Sequence, residues 1–278
     1  MKFDMSTAWR DAVSMLNANR EVMLIVAGIF SFLPSLAASF LAPPMQIAPA
    51  GIGDTGEDAD LIMQQLVQAY TDYWWVFVLM MLAQSVGFIA LLALLRDTKR
   101  PTVGEALKIG LYGFIPYFVS YMLLCLALGL AIGIVATIFS LTGVMALVGL
   151  AFAVGFVAAI YVMVKCSLTP AIVAIEKVYN PIAMLVRSWK LTKGNSLRLF
   201  GFFVLIGVVY LVISMIVGMI VQALYIALGQ ASVAAQVVNG LVNGLVGAIA
   251  TMVFVAVLAA VHHQLAGPST EQVSETFE

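Results

Sequence analysis

Long apolar stretches, separated by short polar segments, make up most of this chain. A helix that crosses the hydrocarbon core of a bilayer needs about 20 predominantly apolar residues. Six stretches are long enough, and none contains Asp, Glu, Lys or Arg. They cover approximately residues 22–41, 74–95, 111–140, 143–164, 199–228 and 235–261. The pattern predicts an all-α polytopic membrane protein with six transmembrane helices, which form a single domain over residues 1–264.

Composition supports a membrane location. Hydrophobic residues make up 63% of the chain and charged residues 10%, whereas soluble domains carry about 25% charged residues. The formal net charge of -1 gives no basis for binding nucleic acid. The polar, acidic residues 265–278 are predicted to be a disordered cytoplasmic tail.

The positive charges predict the orientation. All 13 Lys and Arg residues fall in three stretches, which precede the first, third and fifth apolar segments. They are Lys2, Arg10 and Arg20; Arg96, Lys99, Arg100 and Lys108; and Lys165, Lys177, Arg187, Lys190, Lys193 and Arg198. Cytoplasmic loops of membrane proteins retain Lys and Arg, so these stretches and both termini are predicted to be cytoplasmic.

Several polar connections have the pattern of amphipathic helices. Ser6 or Thr7 is suited to cap an interfacial helix that ends near Asn19, and Thr102 and Glu105 have the spacing of a capping box. A second amphipathic helix is predicted over residues 58–72 of the first external link, and a short interfacial or re-entrant helix over residues 168–175.

The third basic stretch contains a further predicted amphipathic helix. Pro181 is placed as its first residue, and Ile182, Leu185, Val186 and Trp189 form an apolar stripe. The layout suggests three repeats, over residues 1–95, 96–165 and 166–264, each with a cytoplasmic amphipathic helix followed by a helical hairpin.

Polar and small residues inside the spans have two interpretations. Gln84, Ser85, Asn239 and Asn243 are either interhelical hydrogen-bonding groups or the polar lining of a ligand route. Two pairs of glycines spaced four apart predict close helix contacts, because small residues let backbones approach. These pairs are Gly129 with Gly133 and Gly240 with Gly244.

The third basic stretch is the best candidate site. Its cations either set topology and attract anionic lipid without a shaped site, or form a phospholipid-headgroup pocket between this helix and the bundle. The candidate residues are Arg187, Ser188, Lys190, Lys193, Asn195 and Arg198.

No pattern for catalysis or metal binding occurs. His262 and His263 are interpreted as interfacial residues, and no HExxH, GxSxG or phosphate-binding glycine loop is present. Cys125 and Cys166 have no CxxC partner and are predicted to be free thiols. Neither a metal nor another cofactor is expected.

Two segments carry a family resemblance. The run from Pro181 to Asn195, PIAMLVRSWKLTKGN, and the segment from Thr102 to Leu107, TVGEAL, resemble the membrane domain associated with bacterial glycerophosphoryl diester phosphodiesterases. The resemblance implies a protein of the bacterial inner membrane. It does not imply phosphodiesterase activity, because in that family a separate soluble domain with metal-binding carboxylates carries the activity.

These observations lead to three functional hypotheses. The first is a non-enzymatic inner-membrane protein that binds, organises or helps to move membrane lipid, with anionic phospholipid at the cytoplasmic face as its partner. The second is a transporter of a neutral or amphipathic small molecule. The third is an intramembrane lipid-modifying enzyme.

Overall fold

The computed structural model describes residues 2–41, 56–95, 102–229 and 232–267. These residues form helices and connecting turns, without a strand. Six helical segments are long and apolar enough to cross a membrane, as the sequence predicted. Three predicted features lie outside the described residues: the cations Arg96, Lys99 and Arg100, residues 42–55 of the first external link, and residues 268–278 of the tail.

The described helices are numbered here in chain order. They are α1 (Met5–Ala27), α2 (Leu33–Leu41), α3 (Gly56–Leu94), α4 (Val103–Ser140), α5 (Met145–Lys165), α6 (Thr169–Ala171), α7 (Pro181–Leu191), α8 (Ser196–Leu228) and α9 (Val233–Ala266). A π-helical turn, Gly28–Phe32, joins α1 to α2, and a second, Ile172–Glu176, follows α6.

The N-terminal helix differs from the prediction. Asp4, not Ser6 or Thr7, is its cap, and the Asp4 Oδ1 accepts a hydrogen bond from the Thr7 backbone N–H at 2.9 Å. No separate interfacial helix ends near Asn19. The helix continues into the first span, because residues 17–23 contain no glycine or proline that would end its hydrogen-bond ladder.

Pro34 accounts for the π-helical turn between α1 and α2. Proline lacks an N–H and its ring collides with the carbonyl four residues earlier, so a helix has to adjust around it. Here the Leu33 N–H bonds the Gly28 carbonyl, five residues back, which widens one turn immediately before the proline.

The predicted separate helix over residues 58–72 is also part of a longer one. The helix α3 runs without interruption from Gly56 to Leu94, and residues 57–74 contain no glycine or proline. Other local predictions are confirmed. Thr102 and Glu105 form the capping box of α4, and Pro181 is the first residue of α7. The short helix expected over residues 168–175 is present and buried.

The helix α9 lies at the centre of the bundle, in contact with α1, α2, α3 and α8. Of its most apolar 18-residue window, 56% is buried, against 6% for the corresponding windows of α4 and α8. Therefore α4 and α8 present most of their apolar surface to lipid. Successive pairs, α2 with α3, α4 with α5 and α8 with α9, contact each other. Among the described residues, a separate amphipathic helix before the first span occurs only in the third predicted repeat.

Of the two predicted glycine pairs, Gly240 with Gly244 lies at a close helix contact, and Gly129 with Gly133 does not. A side chain at Gly240 would collide with Ser39 and Leu36 of α2, so this glycine permits the close approach of α9. Gly244 does the same against the first span. Gly129 and Gly133 have no atoms of another helix within 4 Å of the Cβ position, so their predicted helix contact is absent.

Packing is densest at one end of the bundle. Three continuous buried runs meet there, over residues 89–95, 168–174 and 255–262. The N-terminus belongs to the same end, because the Asp4 backbone N–H donates to the Gln264 Oε1 at 3.3 Å. We refer to this end, with Phe3, the end of α5, α7, the start of α8 and the end of α9, as the basic end.

Candidate lipid-headgroup site

The helix α7 is well defined at both ends. The Asn180 Oδ1 accepts hydrogen bonds from the backbone N–H groups of Ile182 and Ala183 at 3.0 and 3.1 Å, which caps the helix. After Leu191 the chain turns through Gly194, whose φ of +83° favours glycine, and enters α8. This short helix therefore has defined ends, and it packs mainly against α4, α6 and α9.

Two hydroxyl groups fasten α7 to the end of α5. The Ser188 Oγ donates to the Lys165 carbonyl at 2.8 Å, and the Thr192 Oγ1 donates to the same carbonyl at 3.2 Å. The Ser188 Oγ also accepts from the Leu168 backbone N–H at 3.3 Å. Ser188 is fully buried. Its hydroxyl thus serves helix packing, and it does not lie on a surface that a headgroup could reach.

Asn195 and Arg198 hold the N-terminus. The Phe3 backbone N–H donates to the Asn195 Oδ1 at 2.9 Å, and the Arg198 Nη1 donates to the Phe3 carbonyl at 3.3 Å. The Phe3 ring is buried and packs against the Phe202 ring, with 5.5 Å between centroids. Asn195 is also buried, so only Arg198 of these two candidates remains at the surface.

The apolar stripe of α7 is on the outer surface of the molecule. Ile182, Val186 and Trp189 are exposed, while the opposite face, with Met184 and Ser188, is buried. Thus the predicted apolar stripe faces outward, and the face toward the protein carries Met184 and the small polar Ser188. Where a pocket between this helix and the bundle was predicted, the buried side chains of Ser188 and Thr192 bond to the end of α5.

The cations of α7 lie in different directions. With 3.6 residues per turn, Arg187 lies on the edge of the helix opposite Trp189, and Lys190 points away from the bundle, whereas Lys193 lies in the turn that follows the helix. Lys190 and Lys193 are exposed, and neither forms an ion pair with the described residues.

Arg187 is part of an ion-pair cluster with α9. Its Nε donates to both Glu176 carboxylate oxygens, at 3.0 and 3.2 Å. The His262 Nε2 lies 2.9 Å from the Glu176 Oε1, and with an ionised carboxylate that nitrogen is the donor. His262 is buried, although the sequence suggested an ordinary interfacial residue, whereas His263 is exposed. Sequence reasoning missed this cluster, since its members lie far apart in the chain.

Lys165 is the most unusual cation of the basic end. Its side chain is buried, with 3% of the residue exposed. The Nζ lies 5.3 Å from the Trp189 ring centroid and 5.7 Å from the Tyr161 ring centroid. The two rings meet edge to face, 5.9 Å apart. No carboxylate among the described residues forms an ion pair with Lys165, and none of their oxygens accepts a hydrogen bond from its Nζ.

Within the described part of the protein, the contacts of the Lys165 ammonium group do not offset the free-energy cost of burying its charge. A cation above an aromatic ring gains about 0.5–2 kcal/mol. Burying an ion costs several kcal/mol even after relaxation of the surroundings. Two rings therefore offset only part of the cost, and an anion beside Nζ would supply the rest. The spacing of four between Tyr161 and Lys165 on α5 was a local signal for this pair, but no local pattern connects Trp189 with Lys165.

The polar residues inside the spans do not form a common lining. Gln84 and Asn243 are exposed, whereas Ser85 and Asn239 are half-buried. The Asn243 Nδ2 donates to the Asn239 Oδ1 at 2.6 Å, within the same helix. Among the described residues, no hydrogen bond joins Gln84 or Ser85 to either asparagine.

Other chemistry at the basic end is limited within the described residues. They contain no cluster of three His, Cys, Asp or Glu side chains suited to a metal ion. Cys125 is exposed and Cys166 is buried, and both are free thiols as predicted. An open cleft of about 460 Å³ between α1 and the start of α4 is lined by Asn17, Arg20 and Thr102, among others.

No family model, curated protein or solved structure matches this chain. Its class therefore rests on the fold, and six long apolar helices define a polytopic helical membrane protein. The resemblance of residues 181–195 to the membrane domain of glycerophosphoryl diester phosphodiesterases stays a prediction.

Proposed function

We propose that this protein is a non-enzymatic protein of the bacterial inner membrane that binds anionic phospholipid at its basic end, and so organises or helps to move lipid. The observation that carries the proposal is the outer surface of α7. Exposed apolar side chains there lie beside exposed cations that have no ion-pair partner among the described residues. This combination suits the boundary between acyl chains and headgroups.

The expected strength of this attraction follows from the unpaired cations. Each Lys or Arg near an anionic membrane surface contributes about 1 kcal/mol. Lys190 and Lys193 together then contribute about 2 kcal/mol, which is roughly 30-fold in affinity. Arg187 contributes less, because Glu176 already pairs with it. Salt should weaken the attraction, since exposed charges are screened.

Orientation supports the same proposal. The N-terminus, the end of α5, the start of α8 and the end of α9 lie together at the basic end. The distribution of cations predicts that this end faces the cytoplasm. Anionic lipids of the cytoplasmic leaflet would then face Lys190 and Lys193.

Native mass spectrometry of purified protein tests the proposal, with phosphatidylglycerol and phosphatidylcholine supplied in equal amounts. Wild-type protein should retain phosphatidylglycerol preferentially. The variant Lys190→Ala/Lys193→Ala should lose that preference by roughly 30-fold. The matched control Arg10→Ala/Lys108→Ala removes two exposed cations from α1 and α4 and should keep it. Equal retention by the two double variants would refute the proposal.

The alternatives differ in what supports them. A lipid-modifying enzyme needs an activated nucleophile or a positioned acid or base. The hydrogen-bonded partner of His262 is Glu176, and no described hydroxyl or thiol bonds to its ring. A transporter of neutral molecules would use the exposed amides of Gln84 and Asn243, which share no hydrogen bond. Lipid binding is therefore the function that the contacts favour.

A further inference from the structure

We infer that Lys165 binds the phosphate of one specific phospholipid, held in a slot that the Tyr161 and Trp189 rings border on one side. This inference rests on the proposed function and deepens it. The surface cations of α7 attract anionic lipid in general, whereas the slot would hold a single headgroup with a defined stoichiometry.

The first argument is the contrast between the two buried polar groups of the basic end. His262 is buried, and Glu176 satisfies it within the protein. Lys165 is equally buried, but its Nζ contacts only two ring faces among the described residues. An ammonium group has three donors, and ring faces do not replace an oxygen acceptor. A phosphate oxygen supplies both the missing charge and the missing acceptor.

The second argument is that the aromatic side chains beside Lys165 are already held in place. The hydroxyls of Ser188 and Thr192 bond the backbone carbonyl of Lys165 itself. These bonds fix α7 against the end of α5 and so place Trp189 over the ammonium group. Tyr161 precedes Lys165 by one helical turn, and its ring packs edge to face against the Trp189 ring on the same side of the ammonium group. Little side-chain ordering is then needed when a headgroup enters.

The third argument is the direction from which a ligand can approach. Tyr161 is 49% exposed and Trp189 is 41% exposed, so the walls of the slot reach the outer surface. On α5, the exposed residues Leu150, Val154 and Val157 continue the stripe of Tyr161 toward the opposite end of the bundle. Acyl chains can lie along this stripe while the headgroup enters the slot.

Binding of phosphatidylglycerol tests the inference. The full chain is purified in detergent, titrated with phosphatidylglycerol and analysed by native mass spectrometry, which counts bound lipids one by one. In wild-type protein the first lipid should bind at least tenfold more tightly than later ones. In Lys165→Met the first step should weaken to the level of the later ones. In the control Lys108→Ala, which removes an exposed cation of α4, the first step should stay distinct.

Further variants and competitors separate the possible explanations. Lys165→Met keeps a side chain of similar length without the charge. If this variant does not fold, Trp189→Leu keeps the cation and removes one wall, and it should weaken the first step severalfold. Inorganic phosphate shares the headgroup chemistry. If it displaced the first lipid at equal concentration, the slot would be assigned to free phosphate, and the lipid assignment would be overturned.

The outcomes also distinguish this inference from the proposed function. If wild-type protein bound phosphatidylglycerol no better than phosphatidylcholine, the proposed function would fail. If it preferred phosphatidylglycerol but Lys165→Met and Trp189→Leu left the first step unchanged, the slot would be refuted while the proposed function stood.

Discussion

The carboxylate of Glu176 should be a main stabilising contact of the basic end. It follows a π-helical turn and receives hydrogen bonds from α7, through Arg187, and from α9, through His262. Replacing it with alanine removes both contacts together. It also leaves the buried imidazole of His262 without this acceptor, which costs more than the loss of an exposed contact.

The expected magnitude follows from the burial of each partner. The His262 side chain is 6% exposed, that of Glu176 is 21% exposed and that of Arg187 is 43% exposed. A hydrogen bond to a charged group contributes about 1.5–3 kcal/mol, which applies to the buried histidine. An exposed ion pair contributes about 0.2–1 kcal/mol, which applies to the arginine. Glu176→Ala should therefore lower the free energy of unfolding by about 2–4 kcal/mol.

Double-mutant cycles measure the two contacts separately. The free energy of unfolding is obtained by titrating the detergent-solubilised protein with SDS and following helix content by circular dichroism. The coupling energy between Glu176 and His262 should be about 1.5–3 kcal/mol, and that between Glu176 and Arg187 below about 1 kcal/mol. Glu21→Ala, which removes an exposed carboxylate of α1, should change stability by less than about 0.5 kcal/mol. A larger coupling to the arginine than to the histidine would refute the reasoning.

Three further predictions concern packing and helix ends. Gly244→Ala should lower the free energy of unfolding by about 1–3 kcal/mol, because its Cβ would lie 2.9 Å from an aromatic ring of the first span. The control Gly129→Ala places its Cβ in open space and should not destabilise the protein. Titration with SDS measures the free energy of unfolding of both variants. Asn180→Ala should cost about 1 kcal/mol by the same measurement and should reduce phosphatidylglycerol retention, because the cap of α7 is lost. Hydrogen bonds from the Thr7 backbone N–H and a neighbouring serine lower the pKa of Asp4. The stabilisation by this cap is thus complete above the ordinary pKa of aspartate and is lost as pH falls through the lowered pKa. Hydrogen exchange of the first turn of α1 should therefore accelerate in acid. The variant Asp4→Asn should abolish that pH dependence.

Features set by neighbouring residues were predictable from the sequence. The six spans, the capping box at Thr102 and the start of α7 at Pro181 depend on hydropathy, on side-chain donors and on the restricted φ of proline. The lengths of α1 and α3 were not predicted, because a hydropathy pattern detects the apolar part of a helix only. Where no glycine or proline intervenes, a helix continues beyond that part.

The candidate site was predicted only in part, because a helical pattern separates two faces without showing which one the protein covers. On α7 the predicted apolar stripe faces outward, whereas Met184 and Ser188 face the protein, where the serine hydroxyl bonds to α5. The partners of the buried groups were also beyond local patterns. Glu176 and His262 are 86 residues apart in the chain. No sequence pattern near Glu176 or near His262 indicates that these two side chains are in contact.

Buried charged groups at the basic end are thus stabilised in two different ways. The Glu176 cluster is satisfied within the protein and should contribute equally in detergent and in a bilayer. Lys165, by contrast, needs an anion from outside the described chain, so its contribution should depend on lipid. A ligand that binds only the folded state stabilises it by about 2.7 kcal/mol when its concentration is 100 times its Kd. Because lipid surrounds the slot continuously in a membrane, phosphatidylglycerol would act there as a structural component of the fold. Added phosphatidylglycerol should therefore stabilise the wild-type protein and Glu176→Ala to the same extent, and Lys165→Met much less.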